Sequence, residues 1–133
     1  MARILIVEDS PDNMKLFRAV LEFRGHEVTG LSDGHGLVDA IAGARPDLVL
    51  MDIQLPDCDG YALLEQIRLS PYHTVPVVAL TAHAMVGDEE RAREAGFLGY
   101  ITKPIDVTAF PAQVEAILRG QAGTDFASPG SAR

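Results

Sequence analysis

The sequence has almost no cysteine and no stretch that could cross a membrane. Cys58 is the only cysteine among 133 residues, which excludes an internal disulfide and a cysteine metal cluster. The four histidines have no paired spacing, so we expect no zinc site. No apolar run approaches the roughly 20 residues of a membrane span, and the apolar run at residues 4–7 is too short for a signal peptide. These absences together predict a protein of the cytoplasm.

Positive charge is also scarce. The chain has 11 Lys and Arg residues against 19 Asp and Glu residues, which gives a net charge of −8. This sign disfavours non-specific binding to nucleic acid and suits binding of cations or basic partner surfaces, although solubility alone explains it as readily. Lys15 and Lys103 are the only lysines, and a compact ammonium group suits contact with a phosphoryl group.

What the chain does contain is a regular alternation of short apolar runs with amphipathic stretches. This order is typical of an α/β protein in which helices cover both faces of a parallel sheet. The linkers are too short for a second domain, so we expect one domain over residues 1–120 and a flexible C-terminal tail over 121–133. The predicted strands are residues 4–7, 28–31, 48–51, 77–80 and 100–101.

Capping residues and breakers predict where the helices begin and end. Ser10 and Pro11 suit the start of the first helix, and Asp59 is a candidate N-cap of the third. Residues 84–95 are predicted to be helical despite Gly87. Pro111 must lie in the first turn or two of the fifth helix, because a proline deeper in a helix costs about 3 kcal/mol.

Polar side chains stand at the carboxyl end of four predicted strands. In open parallel sheets, ligands bind beyond this edge, at the point where the strand order reverses. If the first strand is central, three acids therefore converge there and a threonine and a lysine reach in from neighbouring strands. These residues are Glu8, Asp9, Asp52, Thr81 and Lys103.

Such a cluster suits transfer of a phosphoryl group to a carboxylate. Three crowded carboxylates repel one another unless a cation lies between them, and Mg²⁺ prefers oxygen ligands of this kind. The metal and Lys103 would neutralise charge on the transferring group, and Thr81 would donate a hydrogen bond to it. We therefore interpret Asp52 as a residue that takes part in the chemistry. A single acid at the end of a strand, taken alone, could equally cap the next turn.

Four motifs together resemble the response-regulator receiver domains of two-component signalling. Each motif alone is weak, but four in order and spacing are specific, and the match covers residues 3 to about 119. The resemblance is nearest to stand-alone receivers and to the receivers of hybrid histidine kinases. It implies a five-stranded parallel sheet of flavodoxin-like order 2-1-3-4-5. The motifs are ILIVEDS, DLVLMDIQLPDCDG, VVALTAHAM and GYITKPI.

The resemblance also implies a role for each site residue. Asp52 would accept a phosphoryl group from a histidine kinase or a histidine phosphotransfer protein, and Lys103 would bridge to that group. Asp9, Asp52 and the backbone carbonyl of Gln54 would bind Mg²⁺, with Glu8 acting through water. Many members have Asp where this chain has Glu8, which affects the expected metal affinity. The peptide bond after Lys103 is usually cis in the family.

The resemblance implies further residues that transmit the signal or set its lifetime. Thr81 and Tyr100 would be the switch pair, with Tyr100 facing outward or packing at the sheet edge; the alternative is a fixed core ring. Gln54 and His83 would line the path of the hydrolytic water and tune dephosphorylation, the alternative being solvated loop residues.

The start of the first helix is the expected docking surface for the kinase. Asn13, Met14 and Phe17 begin this helix beside the acidic pocket, and their exposed faces would meet a helical partner. The alternative is that Met14 and Phe17 are wholly core residues.

Two other function classes fit the sequence less well. A phosphatase resembling the haloacid dehalogenases needs a second Asp two residues after Asp52, where Gln54 stands. A flavodoxin-like electron carrier needs a first loop rich in Ser, Thr or Gly, whereas EDSPDN would repel a phosphate without a metal. The sequence therefore predicts a single-domain regulator and not a dedicated enzyme. It would signal to a downstream protein by altered binding, as a monomer or a phosphorylation-dependent dimer.

Overall fold

A parallel five-stranded sheet forms the centre of the molecule in the computed structural model, which describes residues 2–55, 59–82 and 87–119. The strand order is β2-β1-β3-β4-β5, so the predicted order and fold class are confirmed. The expected tail and the domain boundary before it lie outside the described residues. The strands are β1 Arg3–Val7, β2 Glu27–Leu31, β3 Leu48–Asp52, β4 Val77–Thr81 and β5 Gly99–Thr102.

Five helices cover both faces of the sheet. Neighbouring strand residues point to opposite faces, and both faces are buried here, so the strands read as continuous apolar runs. Ile4 and Ile6 face a core shared with α1 and α5, whereas Leu5 and Val7 face a core shared with α2, α3 and α4. The helices are α1 Pro11–Phe23, α2 Leu37–Ala44, α3 Gly60–Arg68, α4 Asp88–Ala95 and α5 Phe110–Leu118.

The predicted caps are present. The Ser10 hydroxyl accepts a hydrogen bond from the Asn13 N–H at 3.2 Å, and the Asp59 carboxylate accepts one from the Tyr61 N–H at 2.9 Å. Pro111 lies in the first turn of α5. Among the helices of residues 2–55, 59–82 and 87–119, none is both long and apolar enough to span a bilayer.

The fourth helix begins later than the sequence suggested. Gly87 has φ +92° and caps α4 from the left-handed region, so the expectation of a helix running through Gly87 is wrong. Glycine adopts this conformation without a Cβ clash, and therefore lies at the boundary of a helix more readily than in its interior. Acids at Asp88, Glu89 and Glu90 then complement the positive N-terminal end of α4. Residues 84–86 lie outside the described part of the chain.

Candidate functional site

The register of the sheet brings the polar strand ends to one edge. Val7 pairs with Met51, Asp52 pairs with Leu80, and Thr81 pairs with Thr102. The residues at or just after these ends therefore lie side by side. Glu8, Asp52 and Thr81 are each 2% exposed or less, which is unusual for polar groups and requires partners for them.

Three acids form a cluster at this edge. Carboxylate oxygens of Glu8, Asp9 and Asp52 lie within 4.8 Å of one another. Glu8 and Asp52 are buried, whereas Asp9 is exposed and faces the solvent. A set of carboxylate oxygens at this spacing, open on one side, fits a hard cation that keeps some of its water ligands. The chain therefore has an acidic pocket that can hold a metal ion.

Lys103 supplies the positive charge of the pocket. Its Nζ lies 2.9 Å from Asp52 Oδ2 and 3.2 Å from Glu8 Oε1. Burial acts to lower the pKa of Lys103, but the hydrogen bond and charge of Asp52, together with Glu8, outweigh it and leave the pKa raised. Lys103 is therefore a firmly charged ammonium group shared by two acids. The peptide bond between Lys103 and Pro104 is cis, as the family resemblance implied.

The pocket raises the pKa of Glu8 above its ordinary value. Burial raises its pKa, and the charge of Asp52 acts in the same direction. The hydrogen bond from the Ser10 N–H, at 3.1 Å, and the ammonium group of Lys103 oppose this only in part. One lysine does not balance three carboxylates, so a further cation would be favoured here.

Hydrogen bonds orient the Asp52 carboxylate at both oxygens. Oδ1 accepts the Gln54 N–H at 2.8 Å, and Oδ2 accepts from Lys103. The Gln54 side chain reaches across the pocket, where its Oε1 accepts the Ala82 N–H at 3.0 Å. This bridge from the loop after β3 to the loop after β4 could not be seen in the sequence, because it joins residues 28 positions apart.

Tyr100 lies on the same face of the sheet as Thr81. It pairs with Ala79, two positions before Thr81, and is 6% exposed in the core formed with α3 and α4. The ring therefore packs inward on the edge strand β5 and does not face outward. Burial raises the pKa of its hydroxyl, as does the charge of Asp88, and an interaction with Thr81 acts in the opposite direction.

The α1 residues divide between surface and core. Phe17 is 1% exposed and stacks on Phe110 of α5, with 5.4 Å between the ring centroids. The expectation of an exposed docking face at Phe17 is therefore wrong, because this side of α1 faces the core. Asn13 and Met14 are half-buried, and Met14 packs over Gly30 of β2, where an added Cβ would lie 2.9 Å from its sulfur. His83 lies outside the described residues.

A second polar cluster lies at the opposite edge of the sheet, beside a cavity of about 570 Å³. His26 Nδ1 accepts the Ala2 N–H at 3.1 Å, which leaves Nε2 to donate to Glu115 at 2.9 Å. Arg24 donates to the other Glu115 oxygen at 2.6 Å. These groups satisfy one another and join the starts of β1 and β2 to α5. Sequence patterns could not reveal this cluster, since Glu115 is about 90 positions from its two partners in the chain.

Comparisons with known proteins agree with this fold. Residues 4–115 match the family described as the response regulator receiver domain. The chain is 42% identical over 116 residues to the polar-differentiation response regulator DivK of Brucella anthropi, a match that covers 86% of this chain and 94% of that protein.

Solved structures show the same architecture. The signal receiver domain of a signal transduction histidine kinase from Syntrophus aciditrophicus has a TM-score of 0.78 and 34% identity, covering 90% of this chain and 92% of that one. The chemotaxis protein CheY4 of Vibrio cholerae has a TM-score of 0.81 and 24% identity, covering 88% and 98%, which shows the fold alone. Together with the family match, these likenesses show that the chain belongs to the response regulator receiver domain family of two-component signalling.

Proposed function

We propose that this receiver accepts a phosphoryl group on Asp52 from a phosphohistidine of a histidine kinase or a histidine phosphotransfer protein. The observation that carries the proposal is the state of the Asp52 carboxylate. It is 2% exposed at the end of β3 and is held between the Gln54 N–H and the Lys103 ammonium group. A nucleophile oriented in this way beside a fixed positive charge is prepared for an electrophilic phosphorus.

In the transfer, an Asp52 oxygen forms a bond to phosphorus while the bond from phosphorus to the donor's histidine nitrogen breaks. The nitrogen leaves with the electron pair, and the product is an acyl phosphate on Asp52. The ammonium group of Lys103, which lies 2.9 Å from Asp52, would move to contact a phosphoryl oxygen and neutralise part of its charge. The hydroxyl of Thr81, at the end of the next strand, would donate a hydrogen bond to a second phosphoryl oxygen.

Mg²⁺ is the metal that we assign to the acidic pocket. Asp9, Asp52 and the backbone carbonyl of Gln54 would hold it, and Glu8 would act through a bound water. The close approach of the three carboxylates and the raised pKa of Glu8 support a divalent cation here. When bound, Mg²⁺ neutralises charge on the phosphoryl oxygens during transfer.

The signal would leave the site as a population shift between two conformations. A phosphoryl oxygen that attracts the Thr81 hydroxyl changes the space beside Tyr100, which packs on the same face of the sheet. The surface of α4, β5 and α5 would then bind a downstream protein differently. Gln54 and His83 would set the lifetime of the phosphorylated state, the first from its position beside Asp52.

Docking of the phosphoryl donor would use the start of α1. Asn13 and Met14 lie three and four residues after the Ser10 cap, whose N–H donates to Glu8 of the pocket. Both are partly exposed, so they can meet a partner without leaving the fold. Phe17, as a core residue, is not part of this surface.

Labelling with acetyl phosphate tests the proposed function. The full chain should gain one phosphoryl group by intact mass when Mg²⁺ is present, and none after addition of EDTA. Asp52→Asn should abolish the gain. Asp47→Asn is the matched control, because Asp47 precedes the opposite end of the same strand and bonds the Arg3 N–H at 2.9 Å. A gain that persists in a folded Asp52→Asn variant would rule out the assignment.

A further inference from the structure

The fourth helix is attached to the molecule by few contacts. Of its eight residues, Asp88–Ala95, only Ala92 is buried. At its C-terminal end, Arg68 of α3 donates to the Gly96 carbonyl at 3.1 Å. Segments with few buried apolar contacts open or move at low cost in free energy. The remaining side-chain contacts of α4 therefore strongly influence the position of this helix relative to α3 and β5.

One of these contacts is the ring of Tyr61 on α3. The guanidinium carbon of Arg91 lies 4.3 Å from the centroid of this ring, in a cation–π contact. The Tyr61 and Phe97 rings meet edge to face, with 5.5 Å between centroids and 83° between planes. Phe97 is buried just after α4. A single ring therefore contacts both the middle of α4 and the segment that leads from it into β5.

Tyr61 is also joined to the phosphoacceptor by a short chain of hydrogen bonds. The Gln54 N–H donates to Asp52, and Gln54 forms a β-bridge with Asp59. Asp59 in turn caps α3 by accepting the Tyr61 N–H. A change at the Asp52 carboxylate can therefore reach Tyr61, in the first turn of α3, through Gln54 and Asp59.

The two tyrosines on this side of the sheet are both affected by the charge at the start of α4. Burial is the main cause of a raised pKa at both the Tyr61 and the Tyr100 hydroxyl, and the charge of Asp88 adds to it in both cases. Asp88 is the first residue of α4. A tyrosine on α3 and a tyrosine on β5 therefore both respond electrostatically to the first residue of this helix.

We propose that Tyr61 is a second switch residue, which holds α4 in the arrangement seen here through Arg91 and couples it to Asp52 through the Gln54–Asp59 connection. This inference rests on the proposed function of Asp52 and extends it to α3. Because this Tyr61–Arg91 clamp contacts α4 in this arrangement, loss of the clamp shifts the population of α4 away from it even without phosphate. Tyr100 reports this shift, since it packs in the same core as Ala92 of α4.

Ring NMR signals of the three tyrosines provide the test, because the chain has no tryptophan and only Tyr61, Tyr72 and Tyr100 as tyrosines. The full chain is labelled with ¹³C in its tyrosine rings and recorded with and without beryllofluoride and Mg²⁺. We expect the Tyr61 and Tyr100 signals to move on addition of beryllofluoride. Tyr72, which packs on the same core from the loop after α3, should stay in place.

Arg91→Gln tests the clamp itself, on an exposed residue whose replacement leaves the core intact. In this variant the Tyr100 signal of the free protein should move, because α4 leaves the arrangement in which Ala92 packs with Tyr100. Arg93→Gln is the matched control, since Arg93 lies on the same helix, 3.9 Å from Glu89 and Glu90, and should leave Tyr100 in place. A Tyr100 signal unchanged by Arg91→Gln would overturn the clamp. So would a Tyr61 signal that stays fixed while Asp52 is labelled, whereas absence of labelling would refute the proposed function instead.

Discussion

At the scale of single residues, the pocket depends on one lysine shared between two buried acids. Lys103 lies within 3.2 Å of both Glu8 and Asp52, and both acids are almost fully buried. Removal of one partner from such a group leaves a buried charge without compensation. A bound cation would therefore be expected to stabilise the pocket, and without metal its stability should depend on pH.

The pH dependence follows from the raised pKa of Glu8. The folded chain binds this proton more tightly than the unfolded chain, so the contribution of Glu8 to the free energy of unfolding is greatest below pH 4.5 and is lost as pH rises through its folded-state pKa. Glu8→Gln removes this titration. In EDTA, the melting temperature of the wild type relative to Glu8→Gln should fall as pH rises from below 4.5 towards neutral. If the melting temperatures of the two proteins change with pH by the same amount across this range, the claim that burial raises the pKa of Glu8 is contradicted.

Most pocket residues could be predicted because their type and position carry the signal. Glu8, Asp52, Thr81 and Lys103 each follow or end an apolar run, and parallel strands bring such positions to one edge. Phe17 could not be assigned in this way. Its spacing in α1 fits either a core or a docking residue, and only its stacking on Phe110 decides between them.

At the scale of elements, the register of the strands determines side-chain positions that the sequence alone does not predict. The number and type of the strands follow from alternating apolar and helical patterns, and their order was implied by the family resemblance. The inward position of Tyr100, in contrast, depends on its pairing with Ala79. The start of α4 was predicted too early because an apolar pattern does not reveal that Gly87 has a positive φ. The bridge from Gln54 to Ala82 joins two loops and likewise requires the folded sheet.

Thr81→Ala should separate phosphorylation from its effect on β5 and α4. The variant should still be labelled by acetyl phosphate, since Asp52 and Lys103 remain. A hydrogen bond to a charged group contributes roughly 1.5–3 kcal/mol, so its loss should reduce the phosphate-induced population shift more than ten-fold.

Hydrogen exchange of the α4 and β5 amides, with and without beryllofluoride, measures this effect of Thr81. Thr102→Ala is the control, because Thr102 is the exposed partner of Thr81 on the neighbouring strand. Equal responses in Thr81→Ala and wild type would show that the signal takes another route.

At the scale of the whole molecule, the two edges of the sheet differ in how their charged groups are balanced. At the amino ends of the strands, His26, Glu115 and Arg24 satisfy one another and fasten α5 to the start of the sheet. At the carboxyl ends, Glu8 and Asp52 share Lys103, and Asp9 lies in the same cluster. Among the described residues, this second edge is the one where carboxylates outnumber their basic partners, an excess that a metal ion would offset, so we assign the chemistry to it.

The position of the phosphoryl group on the chain tests this account most directly. After reaction with acetyl phosphate and Mg²⁺, reduction with borohydride converts an aspartyl phosphate into a stable product that peptide mass spectrometry can locate. The account predicts a single modified residue, Asp52, at the end of β3. Modification of Glu8, Asp9 or any residue away from the pocket, with Asp52 unchanged, would contradict it.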